Sequence, residues 1–154
     1  MNDQPARPAR KPAPQLAEYP HRVTDNIRFG DLDPQGHVNQ AIFLTYFESG
    51  RVAMFRNPDL SIGVANATYV LVRQEIDFMR ELHWPSEVVV GSALADFGRT
   101  SFTLLQAVFE GDVCAAAGRA IMVLLDAKTR RPMALTPEAI ARLEPWRYRG
   151  PKVQ

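Results

Sequence analysis

"NQAIFLTYFESGRVAMF" (39–55) is the stretch on which the fold turns. Asn39 has a side-chain oxygen where a helix would need a cap. Behind it lie Ile42, Phe43, Tyr46, Phe47, Ala53 and Met54 on one broad side, with Ala41, Leu44, Val52 and Phe55 on another. A helix that is apolar over most of its circumference is expected to be buried. "RNPDLSIG" (56–63), with its Pro and Gly, breaks it.

Working outward, the flanking segments read as strands. "RVTDNIRFG" (22–30) precedes the helix. "TYVLVRQEIDFM" (68–79), "SEVVVGSALADFG" (86–98), "TSFTLLQAVFEG" (100–111) and "VCAAAGRAIMVLLDA" (113–127) follow it. The short links at Gly98-Arg99 and Gly111-Asp112 are hairpin signals. Val70, Val72, Ile76 and Phe78 are expected to share one face of the first of these four. The small residues of 114–120 would suit a helix on propensity alone. Their hairpin context and β-branched end favour a strand, one that a helix can approach closely. "TPEAIARL" (136–143) is a short closing helix with Thr136 as cap, Pro137 at its first position and Glu138 in its first turn. A strand, a buried helix and four strands in series make an α+β domain, with a long antiparallel sheet wrapped around one helix.

With 154 residues the chain suits a single domain. Its 46% apolar content and net charge of +1 give no global argument for nucleic acid or an anionic membrane. No apolar run approaches the roughly 20 residues of a membrane helix, and the start has no signal-peptide core. The lone Cys114 excludes an internal disulfide and a Cys-rich metal site, and suits the cytoplasm. Residues 1–18 are Pro-rich and read as a flexible leader, 19–148 as the domain and 149–154 as a tail.

Between the first strand and the helix stands "GDLDPQGHVNQ" (30–40). It begins like a calcium loop, but the twelfth position of such a loop is Glu and here it is Ile42. Zinc needs three or four ligands, whereas His37 and Asp33 supply two, so no metal is expected. Pro34 and Gly36 form a turn, and Asn39 caps the helix. That leaves Asp31, Asp33 and His37 beside a helix N-terminus, where unpaired N–H groups can hold a developing negative charge.

"FGDLDPQGHVNQAIFLTYFESGR" (29–51) resembles the signature of the 4-hydroxybenzoyl-CoA thioesterase family of hotdog-fold acyl-CoA thioesterases. "EIDFMREL", "GRTSFTLLQAVFEG" and "RAIMVLLDAKTRRPMALTPE" are similar to that family in order and spacing, so the likeness covers about residues 20–145. It implies a hotdog fold and hydrolysis of a fatty or aromatic acyl-CoA, with coenzyme A as part of the substrate and no other cofactor. It implies a homodimer or homotetramer with sites between subunits. Asp33 would be the catalytic carboxylate, acting as general base or nucleophile. Amides around Asn39 and Gln40 would polarise the thioester oxygen. His37 would either position water or the thioester, or brace the loop. Asp31 suits a turn or an ion pair.

Glu48 could pair with Arg51 at i,i+3 or serve catalysis, as a helix Glu does in some hotdog thioesterases. The resemblance also implies that Arg99, Thr100, Ser101 and Arg131, with Arg130 beside it, either meet the phosphates of coenzyme A or are simply solvated turn residues. Tyr46 and Phe47 suit either the core or an acyl pocket, while Cys114, Trp84 and Trp146 suit packing. The alternatives are a non-catalytic acyl-CoA-binding or sensing protein, without any evident DNA-binding segment, and a hotdog dehydratase.

Overall fold

In a computed structural model, residues 12–60 and 64–151 are described. Five strands form one antiparallel sheet: β1 (His21–Asn26), β2 (Ala67–Phe78), β3 (Glu87–Phe97), β4 (Ser101–Glu110) and β5 (Val113–Asp126). Their order across the sheet is β1-β3-β4-β5-β2. The sheet curls around α1 (Gln40–Arg56), and a short α2 (Pro137–Leu143) follows the last strand. This is the hotdog arrangement. Among the described residues no helix is long and apolar enough to cross a membrane.

Asn39 and Thr136 cap the two helices as their chemistry suggests, accepting from the amides of Ala41 at 2.9 Å and Ala139 at 3.2 Å. The buried stripe of α1 is Phe43, Tyr46, Phe47, Gly50, Arg51 and Met54, a helical three-and-four repeat. Phe43, Tyr46 and Phe47 pack on Val88, Val90, Val108, Ala115 and Ala116. Met54 packs further along, with Leu94, Phe102, Leu104 and Leu124. Each large side chain removed from water in this way contributes roughly 1.5–3 kcal/mol before entropy is counted. The small residues of β5 leave room for the Phe47 ring, while α1 itself lies closest to β1, β3 and β4. A Cβ on Gly118 would lie 3.3 Å from the Phe47 ring and 2.7 Å from the Glu75 carbonyl oxygen.

Four expectations need correction. The first strand stops at Asn26, and residues Phe29–Asp31 turn as a 3-10 helix held by the Asp31 carboxylate, which accepts from the Arg28 amide at 2.8 Å. Val70, Val72, Ile76 and Phe78 do not share a face, because the β2–β5 register shifts between Leu71 and Arg73. Before that bulge Tyr69 faces the helix and stacks on Phe55; after it, Ile76 and Phe78 meet the helix side. One extra residue inverts the alternation. Third, α1 is not buried all round in a single chain: Leu44 and Val52 are 49% and 45% exposed.

The fourth correction concerns Arg51. Its guanidinium turns under the helix and donates to the side-chain oxygens of Gln74 at 2.7 Å and Gln106 at 3.1 Å. The Gln106 amide in turn donates to the Phe47 carbonyl and to Ser92 Oγ, both at 2.9 Å. Glu48 is exposed and, among the described residues, takes part in no ion pair. Burial pushes the Arg51 guanidinium below its ordinary value, an effect opposed by the nearby Glu48 charge.

The outer face of the sheet carries a separate apolar cluster of Tyr19, Ala93, Leu105, Ala107, Phe109 and Cys114. Burial pushes the Cys114 thiol up to about 11, which keeps it neutral and inert near pH 7. Of the leader read from the sequence, residues 1–11 lie outside the described residues. Its last turn, Leu16–Glu18, is a 3-10 helix, and Leu16 packs on the outer cluster. Glu18 accepts from the Tyr148 hydroxyl and, through its carbonyl, from the Arg149 amide at 2.9 Å.

Candidate functional site

The loop before α1 folds as a miniature hairpin. Leu32 and Val38 bridge, the Asp33 amide donates to the His37 carbonyl at 2.8 Å, and the Gly36 amide closes the turn on the Asp33 carbonyl at 3.0 Å. Asp, Pro and Gly at positions one, two and four are what such a turn favours, and Gly36 has φ +82°. Asp33 and His37 therefore face each other across the hairpin. Asp33 Oδ1 accepts from the amides of Gln35 at 2.8 Å and His37 at 3.2 Å, and neither of these loop bonds uses the second oxygen.

Polar and apolar side chains from two sides converge on one open cleft of about 670 Å³. Asp33 and His37 come from the loop, Asn39 and Gln40 from the start of α1, and Phe43 from its first turns. The opposite wall is the end of β2 and the segment after it: Phe78, Met79, Arg80, Glu81 and His83. Phe43 and Phe78 pack edge-to-face at 5.2 Å and give the cleft an apolar floor. The Asn39 amide is already committed to the Asp31 carbonyl at 2.8 Å, and its side chain caps the Ala41 amide. Gln40 is left as the helix-end amide that can point at a ligand.

The remaining candidates fall elsewhere. Asp31 is buried and serves the turn, its carboxylate accepting from the Arg28 amide and, at 3.5 Å, from the Tyr46 hydroxyl. Tyr46 and Phe47 are core, 2% and 0% exposed, and do not line the cleft. Arg99, Thr100 and Ser101 sit at the β3–β4 hairpin, where the Leu124 amide donates to the Thr100 carbonyl and the Leu135 amide to the Arg99 carbonyl. Arg131 is at the same end, its carbonyl accepting from the Asp126 amide at 2.9 Å. Ala67 pairs with Asp126 there, whereas Phe78 pairs with Ala116 at the cleft end. The two ends are separated by the sheet's length, roughly 30 Å for strands of this kind.

Sequence reading missed the wall formed by Arg80, Glu81 and His83. Arg80 brings a cation to the cleft, partnered by Glu110 at 3.6 Å. Glu81 Oε2 lies 3.3 Å from His37 Nε2, and the rings of His37 and His83 meet edge-to-face at 5.0 Å. The sequence signals were the family-like "EIDFMREL" (75–82), which holds Arg80 and Glu81, and a run of polar residues around Leu82 directly after a strand.

A family model, the thioesterase-like superfamily, matches residues 27–143, which takes in the hairpin loop, α1, all of β2–β5 and α2. The chain belongs to this superfamily. A thioesterase from Thermus thermophilus, solved in complex with coenzyme A and Zn, is 35% identical, covers 82% of this chain and 93% of its own, and superimposes with a TM-score of 0.70. The PA5185 protein of Pseudomonas aeruginosa PAO1 is 25% identical, covering 89% of this chain and 98% of its own, with a TM-score of 0.76. The uncharacterized protein YsmA of Bacillus subtilis (strain 168) is 25% identical over 115 residues, 73% of this chain and 78% of YsmA. Thioesterase-like membership agrees with the resemblance carried by residues 29–51, and it bears out the hotdog expectation.

Proposed function

We propose that this thioesterase-like protein hydrolyses acyl-CoA thioesters in the cleft between the 33–37 loop and the end of β2. The observation that carries the reading is the convergence of Asp33, with one carboxylate oxygen unspent on the loop, and the N-terminus of α1 on one cleft. The carboxylate activates water, or attacks the thioester carbonyl, while the Gln40 amide and the helix end stabilise the oxyanion. His37 stands across the hairpin to position water or the thioester, and Asn39 holds the helix end in place. The acyl group lies toward Phe43 and Phe78. A coenzyme A substrate agrees with the ligand of the Thermus thioesterase.

A thiol-trapping dye following coenzyme A release across short, long and aryl acyl-CoA substrates tests this directly. Turnover on at least one class is the expected result. Binding of acyl-CoA without release on any of them would instead make the protein a sensor.

A second copy completes this site. β2 is an edge strand of the sheet, and it exposes Leu71 and Val72, 43% and 58%. An unpaired apolar edge is a template for another strand. Antiparallel pairing of two β2 edges lays the cleft end of one chain beside the Arg99 and Arg131 end of the other. Arg99, Thr100, Ser101 and Arg131 would then reach the coenzyme A phosphates from the opposite protomer. Val72→Glu is expected to convert the dimer to monomer in light scattering and to weaken coenzyme A binding. A wild-type chain that is monomeric at working concentration and fully active would defeat this part of the reading.

A further inference from the structure

We propose that His37, Glu81 and His83 form a binding site for a divalent transition metal of the zinc type at the mouth of the cleft. Sequence alone offers His37 with Asp33, too few ligands. The fold adds two more from the segment after β2. One ligand atom from each of His37, Glu81 and His83 lies within 4.8 Å of the other two. Ligands around a tetrahedral zinc, with bonds of about 2.0–2.1 Å, stand roughly 3.4 Å apart. The closest pair, His37 Nε2 and Glu81 Oε2, is already at 3.3 Å. Small rotations of Glu81 and His83, both exposed, close the rest.

The backbone holds these three groups in register. Leu82 is 0% exposed, wedged into the core between Glu81 and His83, so its two neighbours are turned outward. The Leu82 carbonyl accepts from the Val38 amide at 2.8 Å, which ties the segment to the residue after His37. Ordering a site costs less when the chain that carries the ligands is already pinned. Two imidazoles and one carboxylate form a donor set that suits zinc, cobalt or nickel and disfavours calcium or magnesium, which take oxygen ligands. Three protein ligands leave a fourth position for water.

The site stands or falls independently of thioester hydrolysis, and its test is a binding measurement. Full-length protein stripped with chelator is titrated calorimetrically with ZnCl2, and separately with CaCl2. The expected result is saturable binding of one zinc per chain and none of calcium. Glu81→Gln and His83→Ala, both on exposed side chains, are expected to weaken zinc binding about 10-fold or more, since loss even of supporting groups costs 10–100-fold. Their melting temperatures without metal should match the wild type, and only the wild type should gain thermal stability from zinc. Equal zinc binding by all three proteins, or none by the wild type, would overturn the proposal and leave a histidine–carboxylate hydrogen bond in its place.

Discussion

Asp33→Asn is expected to lower kcat on the best acyl-CoA substrate by about 10²–10⁴-fold, the range a positioned acid or base contributes. The substitution is close to isosteric, and Asn keeps the side-chain oxygen that accepts from the Gln35 and His37 amides. The turn should therefore survive, and the melting temperature should move little, because changes away from core and caps stay within about 0.5 kcal/mol. Coenzyme A affinity should also hold, since the carboxylate acts on the reacting carbonyl. What disappears is the negative oxygen that takes a proton or attacks carbon. A variant with near-normal turnover would remove Asp33 from the chemistry and turn attention to Glu48, which the structure leaves exposed on α1 and outside the cleft. A variant that fails to fold would show up as a loss of coenzyme A binding together with a lowered melting point, a pattern distinct from lost turnover alone.

The parts of this molecule that could be read from sequence are those set by local rules. The extent of α1, its Asn39 cap and the Asp-Pro-x-Gly turn are written in neighbouring residues, and all three stand as read, although only one stripe of α1 is buried. The bulge in β2 is not legible. Leu71 and Val72 are both good strand formers, so nothing in composition marks the one residue that slips the register. Arg51 defied the pairing rule because its i,i+3 neighbour Glu48 lies on the solvent side, while Gln74 and Gln106, remote in sequence, accept from it beneath the helix.

The site was half legible for the same reason. Asp33, His37, Asn39 and Gln40 are close neighbours in the chain, and the structure keeps them together. Glu81 and His83 join them only because Leu82 docks against the 33–38 hairpin, a contact between distant segments. Arg99, Thr100, Ser101 and Arg131 were placed at the ligand by resemblance. Strand order shows that they lie at the other end of the sheet from Asp33 within one chain. A likeness in sequence carries the order of motifs but says nothing of which subunit presents them.

Gly50→Ala separates helix propensity from packing. On propensity alone the change stabilises α1, by about 0.8–1.0 kcal/mol. Packing opposes it. A Cβ at position 50 would lie 2.6 Å from Val90 Cγ1, 3.0 Å from the Gln106 side-chain nitrogen and 3.1 Å from Ser92 Oγ. Val90 is fully buried and stiff at χ1, so it cannot swing away as a long side chain would. Moving the helix outward instead stretches the hydrogen bond from Gln106 to the Phe47 carbonyl and disturbs the acceptor that holds Arg51. Overpacking costs about 1–3 kcal/mol, and a buried polar group left unsatisfied costs a similar amount. Packing wins, and the expected net loss is about 1–5 kcal/mol. At about 2–4 °C per kcal/mol for a domain of this size, the melting temperature should fall by several degrees. Gly30→Ala, where an added Cβ meets nothing within 4 Å, is the control and should leave it nearly unchanged. Equal melting points for the two variants would mean that α1 is not held against β3 as tightly as Gly50 implies.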